Sequence, residues 1–143
     1  MTDYYLDTSV GLRILLGHSP SAARWFDQTV AAPADSVNSS RLLRTEMTRA
    51  LRRLGEPVQR RWAVLDHIGT IPLDHAVLQD AEAIVPHLKT LDAIHVATAL
   101  RSGIDDLVMC THDEAMKRVA GLLGLATHDP VVEDPGPTAT ASG

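Results

Sequence analysis

The sequence predicts an α/β sandwich in which a mainly parallel central sheet is flanked by helices. Short apolar runs typical of buried strands alternate along the chain with longer amphipathic runs typical of helices. Strands that are joined by helices pair in parallel, and the helices then cover both faces of the sheet. With 143 residues, 45% of them hydrophobic and 3% aromatic, the chain can form one core built mainly from aliphatic side chains.

The elements of the first half are bounded by turn and cap residues. Asp7 follows the first strand, and Gly17 closes the helix that comes after it. Pro33 separates the second helix from the second strand, and Gly55 and Pro57 end the long helix after that strand. The predicted order is strand 4–6, helix 10–16, helix 19–30, strand 36–38, helix 40–54 and helix 58–67.

In the second half, Pro72 weakens the pairing of the third strand, because proline has no N–H to donate to a ladder. Asp74 caps the next helix, which stops near Pro86, and Gly103 ends a helix rich in alanine. The predicted order is strand 69–73, helix 74–85, helix 92–101, strand 107–110, helix 113–121 and strand 125–127.

The last residues differ in composition from the rest of the chain. From 129 onward they are rich in Pro, Thr, Ser and Gly, and they offer little to bury. We therefore expect one folded domain over 1–128 and a disordered tail over 129–143.

The charge distribution permits a nucleic-acid partner despite a net charge of −5. Phosphate binding usually leaves a basic footprint, and seven of the 13 basic residues lie in 41–61, which contains only two acids. This stretch is either a solvated helix face or a surface that attracts phosphates. In the second case Arg49, Arg52 and Arg53 are candidate RNA-binding residues.

The cysteine content and hydropathy bear on location. The chain has one cysteine, Cys110, no apolar run long enough to cross a bilayer and no signal-peptide pattern at its start. We therefore expect a cytoplasmic protein that does not associate with membranes.

Two acidic residues come soon after predicted strands. Asp7 follows the first strand, and Asp113 follows the strand 107–110. In open parallel sheets ligands bind outside the C-terminal ends of the strands, so both carboxylates would lie in one crevice. Each could instead be only the N-cap of the helix that comes next.

Two further acids lie on helices with apolar faces. Glu46 borders the apolar stripe of its helix, where a carboxylate needs a partner or a metal ion, and an ion pair with Arg49 or Arg53 is the alternative. Asp92 lies at the start of an almost wholly apolar helix. Capping of that helix, for which Thr90 also qualifies, is the alternative there.

If these four carboxylates meet, they need a cation, because like charges at close range raise one another's pKa. Oxygen ligands without cysteines or paired histidines select Mg²⁺, or Mn²⁺, over zinc. His95, on the apolar helix, is more simply a hydrogen-bonded core residue than a ligand. A phosphatase with Asp7 as its nucleophile is a rival interpretation, but such enzymes usually have a second Asp at the position of Ser9.

Four segments taken together resemble a known family. They are Leu6-Asp7-Thr8-Ser9-Val10, Ser40 to Glu46, Leu91-Asp92-Ala93-Ile94-His95-Val96-Ala97-Thr98-Ala99, and Thr111-His112-Asp113. In order and spacing they resemble the PIN domain, and within it the VapC toxins of bacterial toxin–antitoxin pairs. The resemblance covers about residues 3–128 and implies a three-layer α/β sandwich.

The resemblance also implies a site. The four acids would be catalytic and would bind Mg²⁺ or Mn²⁺, and hydroxyl groups of Thr8, Ser9 and Thr111 would support them. The fourth acid could be Asp113 or its neighbour Glu114, and one or two metal ions could act.

The function implied is that of a toxin in a type II toxin–antitoxin system. Such a toxin is an endoribonuclease that cuts tRNA, rRNA or mRNA and so inhibits translation and growth. The resemblance further implies a homodimer and a VapB-like antitoxin that joins it in a larger complex. The alternative is a degenerate PIN-like module that binds RNA or protein without nuclease activity.

Overall fold

The structure is a computed structural model that describes residues 1–132 and 134. Its strands are β1 (Asp3–Leu6), β2 (Ser36–Ser40), β3 (Gly69–Ile71), β4 (Val108–Cys110) and β5 (Ala126–His128). Its helices are α1 (Thr8–Leu16), α2 (Pro20–Ala31), α3 (Arg41–Arg53), α4 (Trp62–Leu65), α5 (His75–Glu82), α6 (Thr90–Arg101) and α7 (Glu114–Leu122). The strands form one sheet in the order β3-β2-β1-β4-β5, and every pair of neighbours is parallel.

Helices cover both faces of this sheet, so the predicted three-layer α/β sandwich is confirmed. Successive side chains of β1 point to opposite faces. Leu6 and Cys110 belong to the core cluster beneath α1, α2 and α3, and Tyr5 and Met109 belong to the cluster beneath α6 and α7. All four side chains are fully buried. Of the helices in the described part of the chain, none is long and apolar enough to span a bilayer.

Most predicted helix boundaries correspond to observed caps. Ser19, Ser40 and Asp74 each accept a hydrogen bond from a backbone N–H in the first turn of α2, α3 and α5. Gly17 ends α1 with a φ of 73°, a left-handed conformation that glycine adopts without a Cβ clash. Capping side chains therefore fix where these helices start, as the sequence indicates.

Four predicted helices have different limits. α1 starts at Thr8, two residues before the predicted start at 10. The segment predicted as a helix over 58–67 is a 3₁₀ turn, Val58–Arg61, followed by the single turn of α4. α5 ends at Glu82, before the predicted limit of 85. α6 starts at Thr90 with Lys89 as its N-cap, so the predicted start at Asp92 is wrong. Asp92 lies instead within the first turn of the helix.

The predicted tail falls partly on residues outside those described, namely 133 and 135–143. The described residues at its start contact the domain. The hydroxyl of Ser21 donates to the carbonyl of Pro130 at 2.6 Å, and the backbone N–H of Ser21 donates to Asp134 at 2.8 Å. Ser19 also donates to Asp134. These contacts join Pro130 and Asp134 to the start of α2.

Candidate active site

Asp7 is the first residue after β1 and the N-cap of α1. It is 1% exposed. Its Oδ1 accepts hydrogen bonds from the Val10 backbone N–H at 3.0 Å and the Ser9 hydroxyl at 2.9 Å, and its Oδ2 accepts from Thr111 at 2.7 Å. Burial raises the pKa of Asp7, and these hydrogen bonds oppose the rise. The capping interpretation is thus correct, and the cap holds the carboxylate in one orientation at the C-terminal edge of the sheet.

Thr111 connects Asp7 to Asp113. Its buried hydroxyl donates to Asp7 and accepts from the Asp113 backbone N–H at 3.1 Å. Asp113 is the N-cap of α7, where its Oδ1 accepts from the Met116 N–H at 2.8 Å. Because β1 and β4 are parallel neighbours, both capping acids lie at the same edge of the sheet.

Glu46 on α3 is half-buried, and its partners are not the arginines of the alternative interpretation. Its Oε1 accepts from the Thr8 hydroxyl at 2.6 Å and lies 2.9 Å from His95 Nε2. Burial alone would raise the pKa of Glu46, but the hydrogen bonds from His95 and Thr8 outweigh it and hold the pKa below its usual value. The alternative of an ion pair with Arg49 or Arg53 is wrong, because Glu46 contacts Thr8 and His95 and both arginines are exposed.

Asp92 lies in the first turn of α6, close to two of the other acids. Burial raises the pKa of Asp92, and the charges of Asp113 and Asp7 raise it further. Lys89 occupies the N-cap position and makes no side-chain cap bond. The alternative in which Asp92 or Thr90 is the cap of this helix is therefore wrong.

Glu114 and Asp113 point in different directions. The Glu114 side chain is 84% exposed, and it pairs with Lys117 at 2.9 Å. Asp113 is the acid whose charge acts on Asp92. Of the two candidates for the fourth acid, the geometry favours Asp113.

The carboxylate oxygens of these acids are suitable ligands for a hard cation. Asp113 and Asp7 repel the charge on Asp92, and a cation would relieve that repulsion. Carboxylate oxygens are ligands that Mg²⁺ and Mn²⁺ accept. Within residues 1–132 and 134, no three His, Cys, Asp or Glu side chains are arranged so that they could hold a metal ion. Mg²⁺ usually keeps several waters and uses one or two carboxylates, so it needs no group of three.

Asp92→Asn is expected to stabilise the metal-free protein at neutral pH. Because the pKa of Asp92 is raised in the fold, ionisation costs no stability below the usual value of 3.8. The cost appears as the pH rises through the folded-state pKa. We expect the free energy of unfolding to increase by roughly 0.5 kcal/mol near neutral pH, the scale of partly solvated charge interactions, and to be unchanged at acidic pH.

Urea denaturation of both proteins in EDTA, at neutral and at acidic pH, measures this difference. A loss of stability at neutral pH would contradict the repulsion between the acids. It would make Asp92 a structural residue of α6.

The sequence did not reveal the hydrogen-bond partners of His95. The prediction that it is a hydrogen-bonded core residue is confirmed, since it is 1% exposed and bonded at both ring nitrogens. Its Nδ1 lies 2.7 Å from the Tyr5 hydroxyl, and its Nε2 lies beside Thr8 and Glu46. A histidine on an apolar helix signals that buried partners exist, but the chain does not indicate which they are.

The three candidate RNA-binding arginines lie together. Arg49, Arg52 and Arg53 are exposed on α3 and line one shallow pocket. Nearby in the sequence, the guanidinium groups of Arg44 and Arg61 each lie 5.2 Å from the ring centre of Trp62. α3 therefore presents a basic surface outward and Glu46 inward.

Comparison with known proteins identifies the family. A model of the PIN domain matches residues 4–122. The chain belongs to the PIN-domain family. This PIN domain is 42% identical over 94 residues to Ribonuclease VapC46 of Mycobacterium tuberculosis, covering 64% of this chain and 72% of that protein. It is 30% identical over 131 residues to Ribonuclease VapC47 of the same species, covering 88% and 96% of the two chains. The predicted family is thus confirmed.

Solved structures show the same fold. A chain of the toxin–antitoxin complex from Klebsiella pneumoniae superposes on this PIN domain with a TM-score of 0.65. The match has 21% identity and covers 89% of this chain and 97% of that one. PIN-domain ribonucleases are generally dependent on a divalent metal ion.

Proposed function

We propose that this PIN domain is a metal-dependent endoribonuclease and the toxin of a type II toxin–antitoxin pair. The observation that carries the proposal is the meeting of acids at one edge of the sheet: Asp7 and Asp113 follow neighbouring parallel strands, and burial and then the charges of these two acids raise the pKa of Asp92. Perturbed pKa values of this kind cluster at functional sites. The two VapC ribonucleases among its relatives supply the reaction class, cleavage of RNA.

Mg²⁺ is the proposed cation, with Mn²⁺ as a substitute. Asp7 and Asp92 would be its principal ligands, and Glu46 and Asp113 would act in its outer sphere or at a second ion. When bound, the cation supplies positive charge for the scissile phosphate and lowers the pKa of a water molecule. It thereby compensates for the negative charge of the protein where phosphate must approach.

The side chains around the acids orient them for this chemistry. Ser9 and Thr111 fix the carboxylate of Asp7 through hydrogen bonds of 2.7–3.0 Å. Thr8 holds Glu46 by Oε1. Glu46 or Asp113 would accept the proton of the attacking water, because each is a carboxylate at the edge of the cluster. The expected products are a 3′-hydroxyl and a 5′-phosphate.

The proposed substrates are tRNA, rRNA or mRNA, and their cleavage would stop translation. Arg49, Arg52 and Arg53 would contact RNA phosphates, since they are exposed on the helix that carries Glu46. The proposed partners are a VapB-like antitoxin, which the toxin–antitoxin complex of similar fold supports, and a second copy of the chain, which the family resemblance implies. A toxin that acts on these substrates would work in the cytoplasm.

Sequencing of RNA 5′ ends after induced expression tests the proposal. We expect new 5′-phosphate ends at defined positions in a tRNA, an rRNA or mRNAs, and we expect Asp7→Asn to produce none of them. Identical ends with both proteins would assign the cleavage to another nuclease. Growth inhibition without new ends would favour a binding module that lacks nuclease activity.

A further inference from the structure

A network of hydrogen-bonded side chains connects the sheet to Glu46. The hydroxyl of Tyr5 on β1, 0% exposed, lies 2.7 Å from His95 Nδ1. On the other side of the ring, His95 Nε2 lies 2.9 Å from Glu46 Oε1 and 2.8 Å from the Thr8 hydroxyl. The Thr8 hydroxyl donates to the same Oε1 at 2.6 Å. Two donors therefore converge on one carboxylate oxygen.

The hydrogen bonds of this network can all be donated in one direction, from Tyr5 through His95 to Glu46. Ionised Glu46 can only accept, and Thr8 uses its single proton in donating to it, so His95 Nε2 must be the nitrogen that carries a proton. In the tautomer with its single proton at Nε2, Nδ1 is an acceptor and can take the proton of the Tyr5 hydroxyl 2.7 Å away. A tyrosine hydroxyl carries its proton at neutral pH, so Tyr5 can donate it. One tautomer of His95 thus accounts for the contacts at both ring nitrogens.

The same hydrogen-bond network links the parts of the fold that carry Asp7, Asp92 and Glu46. Tyr5 lies on β1, two residues before Asp7. His95 follows Asp92 by three residues on α6, so the side chains of Asp92 and His95 lie on one side of that helix. Glu46 comes from α3. The position of Glu46 relative to Asp7 and Asp92 is therefore tied to the imidazole between them.

We propose that His95 is a positioning residue of the nuclease: with Thr8 it holds Glu46 by Oε1 and leaves Oε2 as the oxygen for a cation or a water. The inference rests on the proposed function. Within the described residues, all hydrogen bonds to the Glu46 carboxylate reach Oε1. His95 acts through Glu46 and touches no reacting group itself.

A Mn²⁺ titration of His95 variants tests this role. His95→Leu removes the donor, and we expect its Mn²⁺ affinity to fall about tenfold, the lower range for loss of a group that orients a metal ligand. His95→Gln places an amide donor near the position of Nε2, and we expect it to restore most of the affinity. Thr29→Val, which removes a buried hydroxyl on α2 away from the four acids, is the control and should bind Mn²⁺ like wild type.

A double variant separates positioning from general packing. If His95 acts through the Glu46 carboxylate, then His95→Leu should reduce Mn²⁺ affinity no further in a Glu46→Gln background. An equal loss in both backgrounds would overturn the inference. So would wild-type affinity in His95→Leu, or failure of His95→Gln to bind better than His95→Leu.

The tautomer of His95 can be measured in the wild-type protein without metal. We expect ¹⁵N NMR to show a protonated Nε2 and an unprotonated Nδ1 that accepts from Tyr5. The opposite tautomer would overturn the inference even where His95→Leu fails to fold. A wild-type protein that neither binds Mn²⁺ nor cleaves RNA would overturn the proposed function and this inference together. Normal Mn²⁺ binding with the opposite tautomer would overturn this inference alone.

Discussion

Asp7→Asn is expected to reduce RNA cleavage at least about a thousandfold, the scale of the several kcal/mol that a positioned metal ion contributes. Asp7 is 1% exposed and fixed by hydrogen bonds from Ser9, Val10 and Thr111. Because Asp7 is buried and held in this way, no other carboxylate can take its place as a ligand. An amide is neutral and presents one oxygen where the carboxylate presents two. The cation would therefore lose a principal ligand.

The same substitution should leave the fold intact. Asparagine caps helices about as well as aspartate, so the hydrogen bond to the Val10 N–H can persist. Removal of a buried charge whose pKa is raised by burial also relieves a desolvation cost. We expect the thermal melting temperature of the metal-free variant to equal or exceed that of wild type.

Cleavage of a radiolabelled RNA by the purified proteins measures the effect of Asp7→Asn. Asp3→Asn is a matched control, because it also converts an acid of β1 to an amide but lies at the opposite end of the strand, where it bonds to Ser36. It should cleave like wild type. Full activity of Asp7→Asn would remove Asp7 from the site.

Reversal of charge at the arginines of α3 is expected to weaken RNA binding about a hundredfold at moderate salt and to flatten its salt dependence. Arg49, Arg52 and Arg53 are exposed and lie together on an otherwise acidic protein with a net charge of −5. If each contacts one phosphate, their loss should lower the slope of log affinity against log salt by about one per residue. Fluorescence anisotropy with an uncleaved RNA and Asp7→Asn protein measures both quantities.

Two controls separate a contact from a general charge effect. Substitution of the same three arginines by lysine keeps the charge and should preserve most of the binding. Substitution of Arg24 and Arg118 by glutamate changes the net charge on other helices and should reduce affinity only slightly. Unchanged binding after reversal on α3 would show that these arginines form a solvated face or contact the antitoxin.

The sheet and the acids at its edge could be predicted because local signals determine them. Apolar runs define β1 and β4, and parallel strands bring the residues after them to one edge. The capping role of Asp7 and Asp113 was an alternative to function, and the structure gives both residues that role. A cap holds its carboxylate rigidly, which also suits a ligand.

The contacts of Glu46 could not be predicted, because its partner lies 49 residues away in the chain. Sequence proximity offered an ion pair with Arg49 or Arg53 as the alternative to a metal role, whereas tertiary packing turns Glu46 inward to His95. The start of α6 was also missed, because Lys89 lacks the capping side chain that usually marks a helix N-terminus. Long-range packing thus decides the partners of Glu46, and a missing local signal hides the start of α6.

Dependence of cleavage on a divalent cation is the most direct test of the proposed site. The measurement is the rate of RNA cleavage by wild-type protein in EDTA and after addition of Mg²⁺, Mn²⁺ or Zn²⁺ in excess of the chelator. The four carboxylates predict no cleavage in EDTA, recovery with Mg²⁺ or Mn²⁺, and little recovery with Zn²⁺. Cleavage that continues unchanged in EDTA, and that Asp7→Asn retains, would contradict a metal-dependent site at these acids.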